Sequence, residues 1–479
     1  MNKNELISWI DGNAEEFIQM AKQIWDKPEI AYTETFASSL QKKVLEEAGF
    51  AVTSGIGGIP TAFIAEYGIG HPIIGFLGEF DALPGLSQQV CPEQQPVVEN
   101  GPGHGCGHNL LGTAGVAAVI ALKNRMADEN MAGTIRYYGC PAEEVLSGKT
   151  FMARSGAFDD LDCALTWHPG SANQTTNVSF RALSSVEFYF TGRTAHAGSA
   201  PHLGRSALDA VELMNVGANY LREHVPDGSR IHYTITNGGQ APNIVPGDAS
   251  VWYYLRGENR EQVDNMLERL IKIAQGAAMM TETSVTWEIK AGCYDTLPNE
   301  VLNDLMFAQG NVIGPLSFTA EEEQFAHELA ATLQPKELAG SQRMIALLGG
   351  DKDESLQAEY FNNKKEYGET FGASTDVGDV TWITPVGQIL TACMPVGVEV
   401  HTWQATASFG SSIGMKGMLF AAKVMALSGY DLLHDQGGIL AKAKAEFTKK
   451  TDGVTYKAGI PSGVQAPVNR ALSLANSAT

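Results

Sequence analysis

Apolar residues recur at three- and four-residue spacing over residues 5–25 and 34–48, which predicts two amphipathic helices, the second stopped by Gly49. Strand-like runs follow in TAFIAEY from Thr61 and IIGFLGEF from Ile73, then a long loop rich in Gly, Pro and Gln over residues 81–108. LLGTAGVAAVIALKNRM from Leu110 reads as a buried helix, TIRYYG (134–139) as a strand, SGKTFMARSG as a short helix and CALTWH (163–168) as a strand. Strands alternating with helices predict an α/β fold with a mostly parallel sheet flanked by helices.

The rhythm changes near Ser184. SVEFYFTG, SALDAVELMNVGANYLREH, RIHYTITNGG, SVWYYLRG, EQVDNMLERLIKIAQGAAMM and SVTWEIKAG give a β-α-β-β-α-β order, the ferredoxin-like split arrangement, long enough to be a compact α+β domain. The strand GQILTACMP and a helix after Ser412 then resume the first style. The expected organisation is one α/β domain, residues 1–183 and 298–479, interrupted by a smaller domain at 184–297. Residues 334–372 read as a polar, irregular surface insertion, and no internal repeat is seen.

Composition narrows the function classes. The 479 residues are 44% apolar, enough for a large core, and 33 Lys+Arg against 54 Asp+Glu leave a net charge of −21. Such a surface argues against nucleic acid or anionic lipid as partner, so an acidic substrate must be held by a few local cations. Six cysteines without a dense pairing pattern read as reduced thiols. The N-terminus lacks a signal-peptide pattern and no stretch of about 18 uncharged apolar residues is apparent, so the expected location is cytoplasmic with no membrane span.

Ligands of parallel sheets bind outside the carboxyl ends of the strands. Here those ends carry Glu79 and Asp81 (GEFD), Glu143 and Glu144 (CPAEE), and His168 (TWHP), while Cys106 and His108 (HGCGHN) precede the buried helix and His401 follows a late strand. Thiol, imidazole and carboxylate delivered to one sheet edge are metal-ligand types. The bland alternatives are surface or satisfied core positions for His71, His224, His232, His327 and His434, and apolar packing for Cys140, Cys163, Cys293 and Cys393. Cys91 with Cys106 could form half of a structural zinc site. Adjacent Glu143 and Glu144 diverge, so one can ligate while the other serves as a general base, against the alternative of a solvated acidic loop.

Two other motifs compete. GSSIG at 410–414 fits G-x-S-x-G with Ser412 as nucleophile, but the polar, mixed stretch before it suits helix capping and close packing better. GKT at 148–150 lacks the first glycine of a phosphate loop, since Glu143 stands there. In the inserted domain TGRTAHAGSAPHLGR offers His196 and His202, GGQAPNIVPGD offers Asn243 and WYYLRG ends on Arg256. A His, an amide and an Arg suit oxyanion stabilisation and carboxylate clamping, with helix capping and a turn Asn as the plain alternatives.

At FDALP, HGCGHN, CPAEE, TWHP, AHAGSAPHLGRSALDA, NIVP and the late His the chain resembles the cocatalytic metallopeptidases that include aminoacylases, carboxypeptidase G and auxin-conjugate hydrolases. The similarity runs nearly end to end. It implies an amidohydrolase with two divalent metal ions per subunit, zinc or manganese, that cleaves the amide bond of an N-acyl or N-aroyl amino acid, with p-aminobenzoyl-glutamate the expected substrate. It also implies that the inserted domain serves as lid and dimerisation surface, in a homodimer or in a heterodimer with a related A-type subunit. By position, Cys106 would bridge the metals where many relatives have Asp, and His108, Glu144, His168 and His401 would complete the set. Glu143 would be the base, Asp81 would orient a ligand from behind, and His196 would act from the inserted domain on its own or a partner's site. Two positions depart from the pattern: Asn109 stands where the auxin-conjugate relatives usually have Asp, and Glu79 stands where many relatives place a ligand His. A broader aminoacylase or dipeptidase, or a companion chain with little activity alone, remain the alternatives.

Overall fold

A computed structural model describes residues 3–435 and 438–469. The first expected helix is two, Lys3–Gly12 and Ala14–Asp26. The break falls at Asn13, whose side-chain amide and backbone N–H both donate to the carbonyl of Trp9, at 2.7 and 3.1 Å. A short amide side chain that bonds the local backbone competes with helix continuation. The next helix, Thr35–Glu47, is capped from a distance, because the Glu29 carboxylate accepts from the N–H groups of Phe36 and Ala37 at 2.9–3.0 Å.

The strands are β1 (Ala51–Ser54), β2 (Phe63–Ile69), β3 (Ile73–Glu79), β4 (Gly133–Cys140) and β5 (Cys163–Gly170). Then come β6 (Asn173–Thr175), β7 (Ser179–Phe180), β8 (Ala182–Thr191), β9 (Arg230–Asn237) and β10 (Asp248–Gly257). The last are β11 (Ser284–Ala291), β12 (Tyr360–Phe361), β13 (Thr370–Phe371) and β14 (Val386–Ala392). The larger sheet has the order β1-β2-β4-β3-β5-β14-β6-β12. Its centre, β4-β3-β5-β14, is parallel, and the antiparallel pairs lie outside it at β1-β2, β2-β4 and β14-β6.

Every residue of β3 is buried, as a strand covered on both faces requires. One face carries helices Lys3–Gly12, Ala14–Asp26, His108–Glu129 and Ser412–His434 over Ile74, Phe76, Ile135 and Tyr137. The other carries helix Gly148–Arg154 and the turn Val377–Thr381 over Leu77, Tyr138 and Phe158. Each such large apolar side chain contributes about 1.5–3 kcal/mol relative to exposure. Helix His108–Glu129 is long and apolar enough to cross a membrane by length and composition, but 78% of its most apolar window is buried inside the protein. Its approach to β3 needs Gly112, where a Cβ would stand 2.6 Å from the Glu79 carbonyl oxygen.

The inserted unit forms its own antiparallel sheet, ordered β11-β8-β10-β9, under helices Ala207–Leu221 and Arg260–Thr281. Phe188, Phe190, Val211, Met214, Tyr253 and Leu270 give it a separate core. Chain exit and return meet at one point: Leu183 N donates to the Cys293 carbonyl at 3.0 Å, and the buried Arg260 guanidinium bonds both residues' carbonyls. Beside this point β13 pairs with β7, and Phe371 stacks edge-on against Phe180.

One expectation changes and one holds. Residues 334–372 are not simply irregular: they open with helix Pro335–Leu348, with Pro at its first position and Ile345 its one buried residue. A helix burying so little of itself leaves almost no apolar stripe to detect. Ser412 begins helix Ser412–His434 behind the capping Ser411, and a Cβ on Gly410 would meet the Trp25 ring at 2.6 Å, so GSSIG is a packing and capping motif.

Glu187 in the smaller sheet is a buried carboxylate that accepts from Lys290, Tyr189 and Thr236. Burial raises its pKa, but these partners outweigh that and hold it below the ordinary value. Its stabilising contribution is therefore present above the unfolded pKa of about 4.3 and lost as pH falls through the lower folded value. Urea midpoints of Glu187→Gln should fall less steeply than wild type below about pH 5; equal slopes would remove Glu187 from the acid response.

Candidate metal centre

Three strand ends and two loops meet above the sheet. Gly107 has φ 80°, in the left-handed region that suits glycine, and starts helix His108–Glu129 so that His108 lies buried on its first turn. Its Nδ1 lies 2.9 Å from Asp81 Oδ1 and 3.1 Å from the Asp81 carbonyl. An Nδ1–H donated to a carboxylate leaves Nε2 as a lone-pair donor, the arrangement that orients metal-ligating histidines. That Nε2 is buried, makes no hydrogen bond and lies 3.2 Å from Glu79 Oε2.

His168, at the end of β5, has Nδ1 2.8 Å from the Pro169 carbonyl and Nε2 3.4 Å from Cys106 Sγ. Glu144 N donates to Asp81 Oδ2 at 2.9 Å, and Glu144 Oε2 lies 3.2 Å from His401 Nε2 while Oε1 is buried without a partner. His401 holds φ 66°, a costly conformation for histidine, and its N–H donates to the Gly105 carbonyl at 2.7 Å. The acidic loop is strained too, with φ 58° at Ala142 and 56° at Leu146. Each such residue costs about 1–3 kcal/mol, which its surroundings must offset.

Two donor triads result, Cys106–His108–His168 and Cys106–Glu144–His401, each with its ligand atoms within 4.8 Å of one another. Donors about 2.0–2.3 Å from one ion lie at most about 4.6 Å apart, so shifts of a few tenths of an ångström would let each triad close on a cation, and the triads share Cys106. A third group, Glu79–His108–Glu143, satisfies the same distances. Glu79, however, is already paired with buried Lys149 at 2.6 Å, and Lys149 with Asp376 at 2.6 Å.

Electrostatics favour cations here. Burial pushes the Cys106 thiol well above its ordinary pKa, as do the Glu144 and Glu143 carboxylates. Burial raises Glu143 well above the usual carboxylate range, with Glu79, Asp376 and Glu144 adding to it. Burial and His108 lower His168, which keeps it a neutral imidazole. Among the described residues, Lys149 is the one lysine or arginine ion-paired to this acidic group. A surplus of buried acids and a thiol against one lysine is the donor set that divalent cations neutralise.

The structure thus gathers Cys106, His108, Glu144, His168 and His401, with Glu143 3.9 Å from His108 Nε2 and Asp81 bonded behind. Cys91 lies outside both triads, with its thiol on the Glu93 carbonyl. The residues of the inserted domain belong to neither triad. His196 is exposed with Nδ1 accepting from Gly198 and Ser199, Asn243 is exposed with its carbonyl on Ala197 N, and Arg256 donates to Ser374 Oγ at 2.6 Å. Sequence reasoning passed over the Glu79–Lys149–Asp376 chain. The available signal was a lysine inside the otherwise small and apolar SGKTFMA helix.

Residues 178–279 match the peptidase dimerisation domain of the M20 family. The chain is 43% identical to the B-type subunit of p-aminobenzoyl-glutamate hydrolase from Escherichia coli, over 95% of this chain and 96% of that one. It is 28% identical to the Xaa-Arg dipeptidase of Mus musculus, over 92% and 91%. Its fold is shared with an aminobenzoyl-glutamate utilization protein from Klebsiella pneumoniae at TM-score 0.61 and 17% identity, covering 89% of this chain and 98% of that one. A dinuclear metal-binding peptidase of Bacillus subtilis gives TM-score 0.55 and 16% identity, covering 88% and 99%. The chain belongs to the M20 family of metal-dependent peptidases and amidohydrolases.

Proposed function

We propose that the protein hydrolyses the amide bond of an N-acyl or N-aroyl amino acid, with p-aminobenzoyl-glutamate as substrate, using two divalent ions per subunit. The observation that carries this is the pair of donor triads sharing Cys106 beside the buried Glu143. The substrate follows the relative of highest identity described above.

In this reading Cys106 belongs to both ion sites, His108 and His168 to one, Glu144 and His401 to the other. When bound, such a pair polarises the scissile carbonyl and makes a water more acidic. Glu143 takes the water proton at its carboxylate and passes it to the leaving amine, a role suited by a raised pKa. Asp81 fixes the His108 ring and, through Glu144 N, the loop behind Glu143. His196 steadies the developing oxyanion, with Asn243 beside it, because Ala195 and Ala197 pair with Val245 and Asn243 across the two lid loops. Arg256 clamps a substrate carboxylate. These three act from residues 184–297, through lid closure or from a second copy, since the structure joins none of them to the triads by a hydrogen bond or ion pair among the described residues.

Zinc suits the thiolate by softness, whereas availability can favour manganese. We also propose a dimer through the inserted domain, where Val216, Tyr220, Tyr233 and Ile235 expose apolar surface. A heteromer is favoured by the naming of the Escherichia coli relative as one of two subunit types. The A-type subunit of that organism's hydrolase is 26% identical over 50% of this chain and 57% of its own length.

The test is hydrolysis by this chain alone, with zinc or manganese added. Chelator-sensitive cleavage of p-aminobenzoyl-glutamate is expected. Cleavage of dipeptides instead would move the substrate to the dipeptidase reading, and activity gained only on mixing with an A-type subunit would make this a companion chain. Metal analysis after dialysis supplies a separate check. Cys106→Ala should weaken both ions by more than the roughly 10–100-fold that losing a partner behind a ligand costs. His168→Ala should weaken one of them preferentially. Full retention of two ions by Cys106→Ala would remove it from both sites.

A further inference from the structure

The loop between β4 and helix Gly148–Arg154 carries Glu143 and Glu144 between two left-handed, non-glycine residues, Ala142 and Leu146. Such a shape persists only where neighbours over-determine it. Three contacts do so. Asp81 takes the N–H of Glu144, as described. The other two come from one short segment between helices Ala14–Asp26 and Thr35–Glu47: Glu34 Oε1 accepts from Ala142 N at 2.9 Å, and the Tyr32 hydroxyl lies 2.6 Å from Ser147 Oγ. The segment is itself anchored beside Asp81, where Ala82 N donates to the Glu29 carbonyl at 2.8 Å.

The chemistry of this clamp is unusual. Glu34 is fully buried and has no ion-pair partner among the described residues; its carboxylate instead takes the N–H of Tyr32 at 2.8 Å, that of Ala142 and the hydroxyl of Thr61 at 3.1 Å. Burial and the nearby Asp81 push its pKa up to about 8. Tyr32 is buried as well and holds φ 67°, a third strained residue, with its own N–H on Glu34. A buried carboxyl without a cation is a costly way to satisfy peptide N–H groups. Its cost is concentrated on the backbone beside the two glutamates.

We propose that Glu34 and Tyr32 are positioning residues for amide hydrolysis, gripping the loop at both ends and holding Glu143 and Glu144 in the geometry the reaction uses. The inference rests on the reading of Glu143 as base given above. Neither residue touches substrate in this account; both act through the loop.

The mildest probes delete single hydroxyls. Tyr32→Phe and Ser147→Ala should each lower kcat about tenfold at saturating metal, with KM changed less than about twofold. The two delete one contact, so the double variant should be no slower than either alone. Glu34→Ala, which leaves the N–H groups of Tyr32 and Ala142 without their acceptor, should lower kcat further; should it fail to fold, the hydroxyl variants still decide. In the Glu143→Ala background Tyr32→Phe should bring a smaller loss than in the wild type, because part of its effect passes through Glu143. A merely structural clamp would lower the unfolding midpoint and leave kcat of the folded enzyme within about twofold, and that result overturns the proposal. Additive losses from Tyr32→Phe and Ser147→Ala would overturn it too. If Glu143→Ala itself keeps full turnover, the failure lies in the reading of Glu143 instead.

Discussion

Glu143→Ala should lower kcat about 10²–10⁴-fold with the bound metal retained, the range expected when a general base is removed. Glu143 sits at 8% exposure beside Glu79, Asp376 and Glu144, an environment that favours its protonated form and so its basicity. Its carboxylate is 3.9 Å from His108 Nε2, near enough to share the pocket, yet it belongs to neither Cys106 triad. Turnover and metal content should therefore separate in this variant. Joint loss of both would reassign Glu143 as a ligand, and an unchanged rate would end its role.

The second large effect is structural. Lys149 is fully buried and joins Glu79 to Asp376 with 2.6 Å contacts on each side. Burial opposes its charge, but Asp376 and Glu79 hold it a cation, while burial still leaves Asp376 raised to about 6. Breaking a buried ion network by removing one partner typically costs about 3–5 kcal/mol, because the others stay behind without compensation. Lys149→Met should lose that much in urea unfolding. Adding Asp376→Asn should restore part of it by removing one of the stranded charges. A loss below about 1 kcal/mol would mean that the pair is no better than a solvated one.

Much of the metal centre was legible because its chemistry and its position agree. Glu144 follows and His168 lies near the carboxyl end of a parallel strand, and Cys106 and His108 lie at the start of a largely buried helix. What stayed hidden depends on partners far along the chain. Lys149 and Asp376 are 227 residues apart, and nothing local marks them as a pair. Tyr32 reaches Ser147 across 115 residues, so a tyrosine in a short connector gave no sign of gripping the loop that carries Glu143 and Glu144. Local signals also misled where tertiary burial was slight, as at helix Pro335–Leu348, or where a side chain broke a periodic run, as at Asn13. The inserted domain was readable as an α+β unit from its element order, but an exposed His196 carries no local mark of what it will meet.

The single doorway of the inserted domain has a consequence for how such proteins diversify. Departure at Leu183 and arrival at Cys293 are bridged by one hydrogen bond, so excising everything between them leaves a gap that a tight turn can seal. The parent sheet would lose none of its ladder. The donor triads and the dimerisation domain therefore sit on separately graftable stretches of chain, and a swap that leaves the donor pocket intact carries His196, Asn243 and Arg256 with it.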